Sequence, residues 1–206
     1  MTNRIGFRIA EPPGWVRLAA DVPDPVEIRA LAKRIASASA PGLRPQIEKF
    51  VFDQLFGALS EASVKGGTDM FLPTEVVEGV PLSMTIVVGV APLSEFGQST
   101  SQTEAMVAYA AHTNGAEATE VGGSLAVRSV VDVAAIAGTE DAARAFDTRR
   151  VSYVIAAPTV DRRLMIVTCS IKRDPLDVET AMLNAMELLF DAIVYTIRFQ
   201  RSTVNA

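Results

Sequence analysis

Leu82, Met84, Ile86, Val88 and Val90 alternate with Ser83, Thr85, Val87 and Gly89. This period of two predicts a strand with one apolar face. Further extended segments are expected at 5–10 and 15–18, forming an N-terminal hairpin turned at Glu11-Pro12-Pro13-Gly14. Residues 68–76 read as a strand, and Pro73 marks it as an edge strand because proline cannot donate to a ladder. Segments 116–121 and 124–133 are joined through Gly122-Gly123, and 150–157 and 163–171 through a longer loop at 158–162. Strands joined by such short loops run antiparallel.

The helical pattern starts at Asp24-Pro25, a capping acceptor followed by proline at the first position. Ile28, Leu31 and Ile35 give this helix its apolar stripe, and Pro41-Gly42 ends it. A second helix is expected over 45–64 with a core stripe of Ile47, Phe50, Val51, Leu55, Ala58, Leu59 and Ala62, leaving Phe52 and Phe56 off the stripe, one turn apart. Gly66-Gly67 stops it. Ser101 and Glu104 have capping-box spacing and open a helix that reaches His112, with Asn114-Gly115 behind it. Residues 138–148 read as a polar loop with one helical turn. Asp174 and Pro175 begin the last helix, which runs to about 194. Its polar residues (Asp177, Thr180, Asn184, Glu187, Asp191) form one narrow stripe, so the helix is buried over more than half its circumference.

Several strands are apolar on both faces: Val154 opposes Tyr153, and Ile166 opposes Val167 and Cys169. Such a sheet is covered on both sides. The expected fold is therefore α+β, an antiparallel sheet sandwiched by helices, in a single domain over 1–206. A helix-grip fold, with the sheet curved around the last helix, is the alternative.

Composition restricts the chemistry. His112 and Cys169 are the only histidine and cysteine among 206 residues. A lone cysteine forms no internal disulfide, and two such ligands fall short of a usual zinc set. Cys169 sits on the apolar face of its strand with Met165, Val167 and Ile171, which suits a buried small hydrophobe. His112 falls at a helix C-terminus, where the dipole favours an imidazole. Ser101 and Ser170 lie in no nucleophile elbow, and neither glycine pair has the lysine or spaced glycines of a phosphate loop. Asp132 with Asp147, or Glu117 with Glu120, could pair as carboxylates, with no motif fixing their distance. No cofactor and no metal site is expected. A net charge of −5 with scattered arginines argues against nucleic acid as a partner. The start lacks a signal-peptide core and no apolar run is long enough to span a bilayer, so no membrane association and a cytoplasmic location are expected.

The opening Phe7-Arg8-Ile9-Ala10-Glu11-Pro12-Pro13-Gly14-Trp15 resembles the start of PsbP-like (Mog/PsbP) domains. Residues 188–199 resemble their final helix and the short extended stretch after it, and 151–157 with 164–171 their late hairpin. The resemblance implies an α/β/α sandwich, in a bacterial member, and a non-catalytic role in binding or assembly. It carries over no catalytic residue.

The remaining functional signal is apolar surface. Phe52 and Phe56 on the second helix, Met70 and Phe71 on the expected edge strand, and Phe96 in the loop after residue 92 exceed what one core needs. They are the candidate surface for a protein partner or for self-association. The leading function is thus a non-enzymatic binding or assembly protein. The alternatives are a small apolar-ligand carrier, suggested by Met182 and Met186 on the last helix, or an enzyme using carboxylates.

Overall fold

A computed structural model describes residues 6–77, 80–97, 99, 101–135, 147–158, 162–173 and 180–200. In chain order the elements are β1 (Phe7–Arg8), β2 (Trp15–Ala19), α1 (Pro25–Ala36), α2 (Arg44–Val64), β3 (Gly67–Pro73), β4 (Val76–Val77), β5 (Val80–Pro81) and β6 (Met84–Pro92). A 3-10 turn (Leu93–Phe96) follows, then α3 (Gln102–His112), β7 (Glu117–Val121), β8 (Ser124–Val133), β9 (Thr148–Ile155), β10 (Arg163–Lys172), α4 (Thr180–Tyr195) and β11 (Arg198–Phe199).

Among the described residues, seven strands form one sheet in the order β2-β3-β6-β10-β9-β8-β7, antiparallel throughout. The register aligns Ile86, Cys169 and Val151 in one row, and Val88, Val167 and Tyr153 in the next. Both rows are buried against Met186, Phe190, Ile193 and Val194 of α4. Strand alternation turns the neighbouring residues to the other face. There, α1 and α2 cover Leu18 and Met70 with Val87 at one end, while α3 and the 3-10 turn cover Val127, Val154 and Leu164 at the other. The result is the expected α+β sandwich, with helices on both faces of an open antiparallel sheet.

Local chemistry explains the element boundaries. The Asp24 carboxylate accepts the Val26 N–H at 2.8 Å and caps α1. The Ser101 hydroxyl accepts the Glu104 N–H at 3.2 Å and caps α3. Gly122 and Gly123, both at positive φ, make the β7–β8 turn. The corner from α2 into β3 lies directly on β6: a Cβ at Gly89 would sit 2.8 Å from the Gly66 carbonyl oxygen. The start expected for α4 at Asp174-Pro175, Asp177 within it, and most of the loop expected at 138–148 lie outside the described residues.

Three expectations are corrected. First, the N-terminal segments do not form a hairpin. β1 pairs with β11, Phe7 opposite Phe199, while β2 pairs with β3. The Pro12-Pro13 turn hands the chain from one sheet to another. Second, β3 is interior, between β2 and β6, and Pro73 is tolerated because it lies at the strand end opposite Trp15. Third, the expected core stripe of α2 is split. Leu59 and Ala62 are buried, Leu55 packs beside them, and Phe52 joins them, whereas Phe50 is 64% exposed. At roughly 100° per residue, nine residues place Phe50 opposite Leu59, while seven bring Phe52 back over it. The expected stripe was wider than one contact face.

Candidate functional site

Helix α2 carries the first group of candidate residues. Phe52 and Phe56, one turn apart, stack with ring centroids 5.8 Å apart. The Arg29 guanidinium of α1 lies 5.1 Å from the Phe52 centroid. Phe52 is half-buried, and Phe56 remains 38% exposed. Beside them runs a groove along the α1–α2 seam. One part, of about 350 Å³, is lined by Arg29, Pro45, Glu48, Lys49, Phe52 and Asp53. A second, of about 340 Å³, shares Arg29 and Glu48 and adds Val26, which is 77% exposed. On the other side of α2, Leu43 and Phe50 are exposed and Ile47 half-buried; their spacing of four and three residues sets them in one outward row.

Met70 and Phe71 do not belong to this surface. Both are buried, because β3 is covered on each face: Met70 packs beside Leu18 and Leu59, Phe71 in the cluster beneath α4. Phe96 is half-buried on the 3-10 turn, edge-on to Tyr109 at 5.9 Å. It lines a separate cleft of about 560 Å³ with Tyr109, Glu95, Glu104 and His112. The five expected residues thus fall into two surface groups and a buried pair.

The groups considered for catalysis are not brought together. Cys169 is fully buried, and burial, with the Asp191 carboxylate, pushes its thiol well above the ordinary range. His112 is exposed and bonds through Nδ1 to the Ala108 carbonyl at 2.7 Å. A carbonyl only accepts, so Nδ1 carries the proton. Asp132 accepts from Arg149 at 2.9 Å, whereas Asp147 accepts the Ala135 N–H. Glu117 and Glu120 are three apart on β7, which turns them to opposite faces. Ser101 serves as the α3 cap and Ser170 stands across from Thr85 and Arg150 in the sheet. Among the described residues, no three His, Cys, Asp or Glu side chains gather as a metal set, and no helix is long and apolar enough to cross a membrane.

Sequence reasoning missed the polar cluster under α4. Arg128 of β8 donates from Nε and Nη2 to the two carboxylate oxygens of Asp191, each at 3.0 Å, and from Nη2 to Glu187 at 2.5 Å. The Tyr153 hydroxyl donates to Asp191 at 2.7 Å. Arg149 reaches Glu187 at 3.4 Å and also holds Asp132, which Arg173 approaches to 3.6 Å. Burial opposes the charge on Arg128, but the hydrogen bonds to Asp191 and Glu187 outweigh it and raise its pKa. Burial, then the bond to Asp191, pushes the Tyr153 hydroxyl up strongly. The cluster is charge-balanced and internally satisfied, so it holds α4 to the sheet. The available signal was a pair of acids four residues apart on a helix otherwise rich in apolar side chains.

No protein-family model matches the chain, and no curated protein matches it in sequence. Solved structures do resemble it. LpqN, involved in cell envelope biogenesis of Mycobacterium tuberculosis, is similar with a TM-score of 0.47 at 10% identity, over 95% of this chain and 83% of that one. The Ran-binding protein Mog1p of Saccharomyces cerevisiae is similar with a TM-score of 0.46 at 13% identity, over 95% of this chain and 96% of that one. A Mog1 point mutant has a TM-score of 0.42 at 14% identity, over 67% of this chain and 82% of that one.

Proposed function

We propose that this protein acts by binding a protein partner, or a second copy of itself, through the α1–α2 hairpin, without chemistry of its own. The observation that carries this reading is Phe50. It is 64% exposed on a helix whose opposite face already closes the core. Leu43, just before the helix, and Ile47 extend the apolar surface in the same outward row, and Phe56 is a second exposed aromatic on α2. Exposed aromatics gathered on one element mark interfaces, and aromatic anchors carry much of their binding energy. The carrier alternative draws no support from the space between sheet and α4, which Tyr153, Phe190, Ile193 and Val194 fill.

The test is a Phe50→Ser, Phe56→Ser double variant, compared with wild type by sedimentation velocity and by proximity labelling in the native cell. The exposed side chains predict a folded variant that loses self-association or loses specific labelled neighbours. A wild-type monomer whose labelled neighbours are identical to those of the variant would sink the proposal.

A further inference from the structure

The cleft between the 3-10 turn and α3 is assigned to neither the core nor the α1–α2 surface. Its two walls are set independently. Phe96 is fixed by the turn, where the Ser99 hydroxyl donates to its carbonyl at 2.9 Å. Tyr109 is fixed from α3, its hydroxyl 2.8 Å from that of Ser129 on β8. The rings meet edge-on, held in place before any ligand arrives. At about 560 Å³ the cleft falls within the size range of ligand sites.

Its charge is one-sided. Glu95 and Glu104 line it, and no lysine or arginine does among the described residues. His112 completes the lining, its Nδ1 held by the Ala108 carbonyl. Aromatic faces attract cations, and carboxylates pair with them. A planar guanidinium can stack on a ring while its five N–H groups reach separate acceptors, which an ammonium does less well. The lining residues Glu95, Gly97, Glu104 and His112 are solvent-exposed, so the cleft opens outward and admits a side chain borne on another chain.

We propose that this cleft accepts a basic side chain, arginine in preference to lysine, presented by a peptide segment. The site lies apart from the α1–α2 hairpin and does not depend on it.

The probe is the capped tripeptide acetyl-Gly-Arg-Gly-amide, titrated into the labelled protein and followed by amide NMR shifts. Saturable shifts are expected at Gly97, Ala108, His112 and Thr113, smaller shifts with the lysine peptide, and none with the glutamine peptide. The exposed double variant Glu95→Gln, Glu104→Gln should weaken binding by about tenfold, the size of two exposed ion pairs. Equal shifts from arginine and glutamine peptides, or an unchanged Kd in the double variant, would overturn the assignment. Free agmatine binding as tightly as the peptide would overturn the peptide source in favour of a small organic cation. Phe50→Ser should leave this Kd unchanged, so failure here is separable from failure of the hairpin interface.

Discussion

Replacing Arg128 by methionine keeps most of the side-chain stem but removes the guanidinium from beneath α4. Arg128 makes three charged hydrogen bonds, two to Asp191 and one to Glu187, and these side chains are only 16–18% exposed. Removing one partner of a buried ion pair costs about 3–5 kcal/mol, because the other charge is left desolvated. Residual exposure lowers that figure here. Tyr153 still donates to Asp191, and Arg149 still reaches Glu187. We expect a loss of about 2–4 kcal/mol in urea denaturation at neutral pH. By contrast, Lys49→Ala removes a solvent-exposed i,i+4 pair with Asp53 and should cost about 0.5 kcal/mol or less. If stranded charge is the cause, adding Glu187→Gln and Asp191→Asn to Arg128→Met should recover much of the loss. A cost under about 1 kcal/mol for Arg128→Met, or no recovery in the triple variant, would refute the reasoning.

Cys169 should resist a thiol reagent in the native protein and react stoichiometrically once denaturant unfolds it; reaction at the native rate of a free thiol would place it at the surface. The Arg149 hydrogen bond, opposed by burial and aided by the Arg149 charge, holds the Asp132 carboxyl below its ordinary value. A depressed folded value means that its stabilisation is present above the unfolded carboxylate value near pH 4 and is lost as pH falls. Asp132→Asn should therefore flatten the fall in stability on acidification below about pH 5; an unchanged slope in acid titrations would contradict this. Gly89→Ala should cost about 1–3 kcal/mol, since the new methyl meets the Gly66 carbonyl, and an unchanged melting temperature would show that the corner shifts freely.

Much of the architecture was legible because it rests on local rules. The β6 alternation, the Asp24 and Ser101 caps and the Gly122-Gly123 turn each act within a few residues, and the structure keeps them all. What failed depended on distant partners. Nothing near Phe7 indicates that its strand pairs with Phe199. Pro73 has the same local form at an edge or at the end of an interior strand. Which side of α2 faces inward depends on the positions of α1 and β3, so Phe50 and Phe52 exchanged their expected environments. The candidate surface suffered from the same limit: Met70 and Phe71 were assigned to it through the strand position, and Phe50 was missed through the helix phase.

Helix α4 shows what the charged cluster contributes beyond its net energy. Its apolar residues extend around most of its circumference, so hydrophobic burial alone defines its rotation weakly. In the structure Leu188 is 69% exposed while its neighbour Glu187 is turned toward the sheet. Leu188 lies about 200° around the helix from Phe190, so turning it inward would turn the buried Phe190 outward. Glu187 and Asp191, four residues apart, project together, and Arg128 and Arg149 lie on neighbouring strands of the face that α4 covers. Rotating Leu188 inward would carry both acids away from both arginines and leave two cations against the helix. That separation adds to the cost of exposing Phe190. The acids thus reinforce the rotation of α4 that places Phe190 over Tyr153 and Val194 in the same core.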